Sequence, residues 1–203
     1  MIDVCDNLQD DNKTKTELLE NIEICNTTYK DAYQIISILE SCFGVDSKEE
    51  ALRQLLFSKA DLDKSIKVID KRDGKIYGFL ILSEFNITNG TPIMSIDYDL
   101  GEFLMDFKQL NGHSFIIDSR LRGTHVHKEM IDKCKEYSNE FDFIWCGVES
   151  SLKTNNYWKR LGFEELFNIP QAKFYIKPIN KKLKLDILII KMLKENYEKN
   201  NIG

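Results

Sequence analysis

Twice along this chain an apolar run of strand length gives way, within a few residues, to a helical pattern. Few folds accommodate both junctions. The first run is Ser114 to Asp118 (SFIID), which leads through Arg120-Leu121-Arg122-Gly123 into Val126, Met130, Ile131 and Cys134 at helical spacing. The second is Phe141 to Val148 (FDFIWCGV), followed by a short helix from Asn155 to Leu161 that Gly162 stops as a C-terminal glycine.

The rest of the pattern fits around these two units. Ile22 to Cys25 reads as a strand, and Thr27 or Thr28 caps a helix through Glu40 on Ala32, Ile35, Ile36 and Leu39. Ser47 and Glu50 have the form of a capping box for a second helix carrying Ala51, Leu52, Leu55 and Leu56. Ile66, Val68 and Ile69 then lead to Asp73-Gly74, a strong hairpin signal, and Ile76 begins the return strand. The spacing from Leu100 to Leu110 suits a short helix, and Phe163–Phe167 with Ala172–Ile176 suits a final hairpin. The spacing predicts an amphipathic helix from Leu183 to Tyr197.

Length and punctuation bound the domain count. At 203 residues with three prolines and no Gly/Ser-rich stretch, the chain suits one domain. The reading is a polar, mobile segment over 1–20, a domain over 21–178 and a C-terminal amphipathic helix over 179–203. A net charge of −5 argues against a nucleic-acid partner. Five cysteines without a CxxC pair suit reduced thiols. The residues after Met1 lack a secretory pattern and no apolar run reaches membrane-spanning length, so the expected location is cytoplasmic with no integral membrane segment. The lysine-rich final helix offers a surface for a homodimer or other partner contact, although packing on its own domain is its commonest fate.

The chemistry is concentrated at the first junction. The first turn of a helix carries backbone N–H groups without internal partners at the positive end of its dipole, which suits a phosphate or pyrophosphate. Gly123 permits close backbone approach, and Arg122 and Lys128 add charge. His125 and His127 are two residues apart, so on a helix they face different ways, and no metal site is expected there.

With the second unit beside it, the sequence resembles the GNAT superfamily of N-acetyltransferases over roughly residues 20 to 177. That family's coenzyme A loop reads Q/R-x-x-G-x-G/A, and Ile117 to His127 (IDSRLRGTHVH) matches its first arginine, its Arg-Gly pair and its apolar frame. The later family motif, N-x-x-A-x-x-F-Y-x-K-L-G-F, corresponds to Ser151 through Phe163. The resemblance implies an α/β (α+β) fold, with a mixed, mostly antiparallel central sheet of about six to seven strands flanked by helices. It implies acetyl-CoA as acyl donor and a small-molecule or peptide amine as acceptor. The implied coenzyme-binding residues are Ile117, Arg122, Gly123, Thr124, His125, Val126, His127, Lys128 and Ser151, with no metal. His125 and His127 depart from the small residues usual in the family, and Ser151 replaces its asparagine. Trp158 stands where many members have a tyrosine that protonates the leaving thiolate, with Tyr157 adjacent, so both are candidate catalytic positions. His113 is the candidate base. Asp97, Asp99, Glu102 and Asp106 precede the first junction on the expected acceptor side. These departures leave a second reading open, a non-catalytic acyl-CoA binding or sensing module.

Overall fold

The computed structural model describes residues 2–3, 11–43, 52, 61–150 and 155–180. The predicted helix over 47–56, Ser151 and the C-terminal helix after 180 lie outside the described residues, Leu52 excepted.

Helix α1 (Lys15–Asn21) falls inside the segment expected to be mobile. Thr14 and Glu17 form a reciprocal capping box, with the Thr14 N–H donating to the Glu17 carboxylate at 2.7 Å. Leu18 on this helix is wholly buried, which ties α1 to the core. The elements that follow are β2 (Ile22–Asn26), α2 (Ala32–Phe43), β3 (Ile66–Asp70) and β4 (Ile76–Ser83). The Asp73-Gly74 hairpin forms as predicted, with Gly74 at φ 70°. Every residue of β4 is buried, because β4 is internal to the sheet and covered on both faces.

Between β4 and β5 lie three short helices, α3 (Ile87–Gly90), α4 (Ile93–Ile96) and α5 (Tyr98–Met105). The helix expected over 100–110 therefore ends earlier, and Gln109 already belongs to β5 (Gln109–Ile117). Gln109 makes that boundary: its side chain accepts from the Ile87 N–H at 2.8 Å and donates to the Leu104 carbonyl. Helix α6 (Val126–Lys133), β6 (Phe143–Glu149), α7 (Asn155–Arg160), β7 (Glu164–Asn168) and β8 (Ala172–Pro178) complete the described chain.

The strands form one mixed sheet in the order β2-β3-β4-β5-β6-β8-β7. Within this order all neighbours are antiparallel except β5 and β6, and off it β1 (Ile2–Asp3) pairs in parallel with β5. One sheet face packs against α6 and α7 through Leu80, Leu110, Phe115, Ile144, Val126 and Met130. The other face carries two separate apolar clusters. One groups Ile35 and Leu39 of α2 with Phe79 and Ile81 of β4, and the other groups the α3–α5 segment with Phe143, Trp145, Phe174 and Ile176. Cys25, Cys134 and Cys146 are free thiols, whereas Cys42 is disulfide-bonded, a departure from the expectation of reduced cysteines throughout. Among the described residues no helix is long and apolar enough to cross a membrane, and no cluster of three or more His, Cys, Asp or Glu could hold a metal ion.

Candidate functional site

The parallel pair β5–β6 is short. It registers Gln109 with Phe143, Leu110 with Ile144 and Asn111 with Trp145, and no further. Beyond that point both strands continue, β5 to Ile117 against β4 and β6 to Glu149 against β8. The two strands thus part in the middle of the sheet, and each turns a main-chain edge toward the opening. At the far end of the opening, β5 registers in parallel with β1 (Ile2–Asp3), through Phe115 and Ile116.

His113 sits where the strands part, within β5 rather than at its start as expected. The β4–β5 register jumps between Ser114 (opposite Ile81) and Gly112 (opposite Leu82), leaving His113 as the extra residue of a β-bulge. The bulge breaks the alternation of the strand beside the opening. The His113 Nδ1 lies 3.3 Å from the Ser114 hydroxyl. Burial lowers its pKa from the ordinary imidazole value to about 4, so the ring stays neutral at physiological pH.

The loop after Ile117 begins with Asp118, whose side chain accepts from the Arg120 backbone N–H at 2.9 Å. The chain makes a 3₁₀ turn over Ser119–Leu121 and reaches Gly123 at φ 71°, in the left-handed region that glycine enters without steric cost. The Thr124 hydroxyl donates to the Leu121 carbonyl at 2.6 Å and accepts weakly from the Val126 N–H at 3.3 Å. Among the described residues the N–H groups of Gly123, Thr124, His125, His127 and Lys128 have no hydrogen-bond partner. A run of such donors at a helix start suits an anion. Lys15 of α1 adds a cation that sequence reasoning missed, since its Nζ reaches the Arg122 carbonyl at 3.4 Å. Lys128 is exposed and pairs loosely with Asp132 at 3.6 Å.

The two histidines separate as their spacing requires. His125 points outward, with Nε2 3.8 Å from Glu129. His127 is buried, and burial with the nearby Arg122 charge lowers its pKa to about 4. Its ring meets Phe115 edge-on at 5.7 Å and Tyr157 edge-on at 5.4 Å, so it bridges β5 and α7.

Tyr157 and Trp158 divide in the same way. Trp158 is 2% exposed and packs among Phe163, Tyr175 and Phe115, with centroids 4.9, 6.0 and 6.3 Å away. Its indole N–H is buried without a hydrogen-bond partner. This placement assigns Trp158 to the core. Tyr157 is only partly buried, and burial raises its pKa above the ordinary phenol value. Cys146, the first β6 residue past the last β5 pair, is close enough to act on the Tyr157 hydroxyl electrostatically. Gly162, at φ 84°, ends this helix, and Lys177 donates to the Leu161 carbonyl at 2.8 Å.

Arg120, the first arginine of the loop pattern, is engaged elsewhere. It forks onto Asp118 at 2.8 Å through both Nε and Nη2, and its Nη1 bonds Asp11 and the Lys13 carbonyl at 2.7 and 2.9 Å. The Tyr77 hydroxyl donates to Asp11 as well. Burial pushes the Asp11 carboxyl up, but the Tyr77 and Arg120 hydrogen bonds outweigh it and hold the pKa down at about 2. Lys13 completes the network on Asp70 and Asp73 at 2.9 and 2.6 Å. On the opposite side, Asp97 caps α5 by accepting from the Leu100 N–H at 3.1 Å, and Asp99, Glu102 and Asp106 are exposed.

No family model and no curated protein matches the sequence. Solved structures do match the fold. A putative arylalkylamine N-acetyltransferase 7 from the yellow fever mosquito superimposes at TM-score 0.58 and 12% identity, over 78% of this chain and 88% of the other. A GNAT-family acetyltransferase from Listeria monocytogenes gives 0.51 and 17% over 77% and 94%. Arabidopsis thaliana Naa50, in complex with the bisubstrate analogue CoA-Ac-MVNAL, gives 0.52 and 10% over 77% and 98%. At these identities the likeness is one of fold, and the fold is that of the GNAT superfamily.

Proposed function

From this GNAT fold we propose that the protein is an N-acyltransferase that moves an acyl group, acetyl in the first instance, from an acyl-coenzyme A to an amine within a ternary complex. The observation that carries the proposal is the parting of β5 and β6 beyond Asn111 and Trp145, together with the unpartnered N–H groups of Gly123, Thr124, His125, His127 and Lys128 in the loop and helix start that follow β5. The opening offers main-chain edges to an amide-bearing pantetheine arm, and the helix start offers donors to its diphosphate. Gly123, Thr124, His125, Val126, His127 and Lys128 form the anion end, with Arg122 and Lys15 supplying positive charge. Ile117 belongs to the edge that would face the arm, and Ser151 keeps its proposed contact from the sequence pattern.

In the proposed reaction a neutral amine attacks the thioester carbonyl carbon, the carbon–sulfur bond breaks, and the thiolate takes up a proton. In this reading the main-chain groups freed by the β-bulge at His113 serve as donors to the charge that develops on the carbonyl oxygen. His113 is neutral but holds a proton poorly, so its role is to accept a hydrogen bond from the amine or an intervening water and relay the proton outward. Tyr157 retains its proton and has an O–H to direct at the departing sulfur. Holding both reactants in one groove supplies much of the acceleration.

Titration calorimetry with acetyl-CoA, followed by thiol-release assays over a panel of small and peptide amines, tests this reading. Binding with turnover of at least one amine is the expected result. Absence of acetyl-CoA binding overturns it, and binding without turnover returns the protein to the class of acyl-CoA sensing modules. Tyr157→Phe is expected to lower kcat by about 100-fold, the low end for loss of a general acid, with little change in KM for acetyl-CoA.

A further inference from the structure

The opening between β5 and β6 is already met by a piece of this chain. Strand β1 pairs in parallel with β5, placing Ile2 opposite Phe115 and Asp3 opposite Ile116. These β5 residues lie beyond Asn111, where β6 has left, so β1 takes main-chain positions of the β5 edge that faces the opening. Extended peptide and a pantetheine arm present the same chemistry to such an edge, alternating amide N–H and C=O groups.

A second observation fixes the occupant near its site. Strand β1 points toward the Ile117 end of β5, and residues 11–13 are pinned at that end. Asp11 and the Lys13 carbonyl are held by Arg120, Asp11 by the Tyr77 hydroxyl, and Lys13 by Asp70 and Asp73. Only residues 4–10 of the sequence separate pin and strand, so the pairing of β1 with β5 is intramolecular and close in the chain. A pairing of two residues is nevertheless small enough for a bound ligand to displace.

We propose that the opening is a peptide-backbone site as well as the donor slot, and that residues 2–3 of this chain compete in cis with the acyl-CoA for the β5 edge. This rests on the acyl-CoA reading given above. Apparent donor affinity is then the intrinsic affinity reduced by the fraction of molecules with the strand displaced. If the strand occupies the edge about nine-tenths of the time, removing it tightens donor binding about tenfold.

The test compares the full chain with an Ile2→Pro/Asp3→Pro variant, which removes two backbone donors, and with a variant lacking residues 2–10. Thermal melts confirm folding. Calorimetry measures acetyl-CoA affinity, and anisotropy follows a synthetic peptide of residues 1–10 carrying a C-terminal dye. The expected result is about tenfold tighter acetyl-CoA binding by both variants, with the peptide binding the truncated variant and acetyl-CoA displacing it. Unchanged acetyl-CoA affinity in the folded proline variant overturns the competition. Should no form bind acetyl-CoA, the transferase reading fails, and the peptide alone decides the strand site: binding to the truncated variant upholds it, and no binding removes it.

Discussion

Gly123 and Gly74 make a matched pair for testing the anion end of the site. Both glycines hold nearly the same left-handed backbone, at φ 71° and 70°, and a Cβ built on either meets no atom within 4 Å. Alanine at each position therefore carries the same penalty, left-handed strain of about 1–2 kcal/mol, partly offset by about 0.5 kcal/mol from a less flexible unfolded chain. The net loss is about 1 kcal/mol in both variants, a fall in Tm of about 2–4 °C for a chain of this length. The two differ in what surrounds the added methyl. At Gly74 it lies in the β3–β4 turn, whereas at Gly123 it stands beside the unpartnered N–H groups that the proposal gives to a diphosphate. Gly123→Ala is expected to weaken acetyl-CoA binding about tenfold, equivalent to about 1.4 kcal/mol, and Gly74→Ala to leave it unchanged. Differential scanning calorimetry and titration calorimetry on the two variants measure both quantities. Equal Tm losses with equal acetyl-CoA affinities would refute the assignment of the 123–128 amides to the coenzyme.

Trp158→Ala should cost about 3–5 kcal/mol in denaturant unfolding, because the ring fills the space between Phe163, Tyr175 and Phe115. Trp158→Phe removes an indole N–H that has no partner, so turnover should survive it. A hundredfold drop in kcat would contradict the core assignment. Arg120→Ala leaves the buried Asp118 carboxylate without its guanidinium and removes one partner from the half-buried Asp11, with an expected loss of about 3–5 kcal/mol at neutral pH. His113 and His127 bind protons near pH 4 when folded but near 6.5 when unfolded, so the unfolded chain takes up more protons between those values. Stability should accordingly fall as pH drops from about 6.5 to about 4, and His127→Gln should flatten that slope; an unchanged slope would mean that His127 is not buried neutral.

The elements that were legible in the sequence are those whose signals are local. The Asp73-Gly74 hairpin, the strand–loop–helix passage through Gly123 and the helix stop at Gly162 all appear where the pattern placed them, with each glycine at positive φ. The polar run through residue 20 shows the converse. Leu18 is its one buried residue among those described, and the Asp11 and Lys13 partners (Arg120, Asp70 and Asp73) come from distant strands. The start of β5 is not legible in the sequence because Gln109 and Asn111 are buried polar residues within a strand, held by contacts to Ile87, Leu104 and Trp145.

Residue order by itself determined the mixed α/β architecture, the glycine turns and the helix start suited to a phosphate, since each follows from backbone geometry over a few neighbouring residues. Pairing between distant strands decided the rest: that β5 and β6 part after three residue pairs, that His113 is the bulge where they part, and that Tyr157 is half-buried while Trp158 fills the core. Register and burial depend on contacts far apart in the chain, and so only the folded protein specifies them.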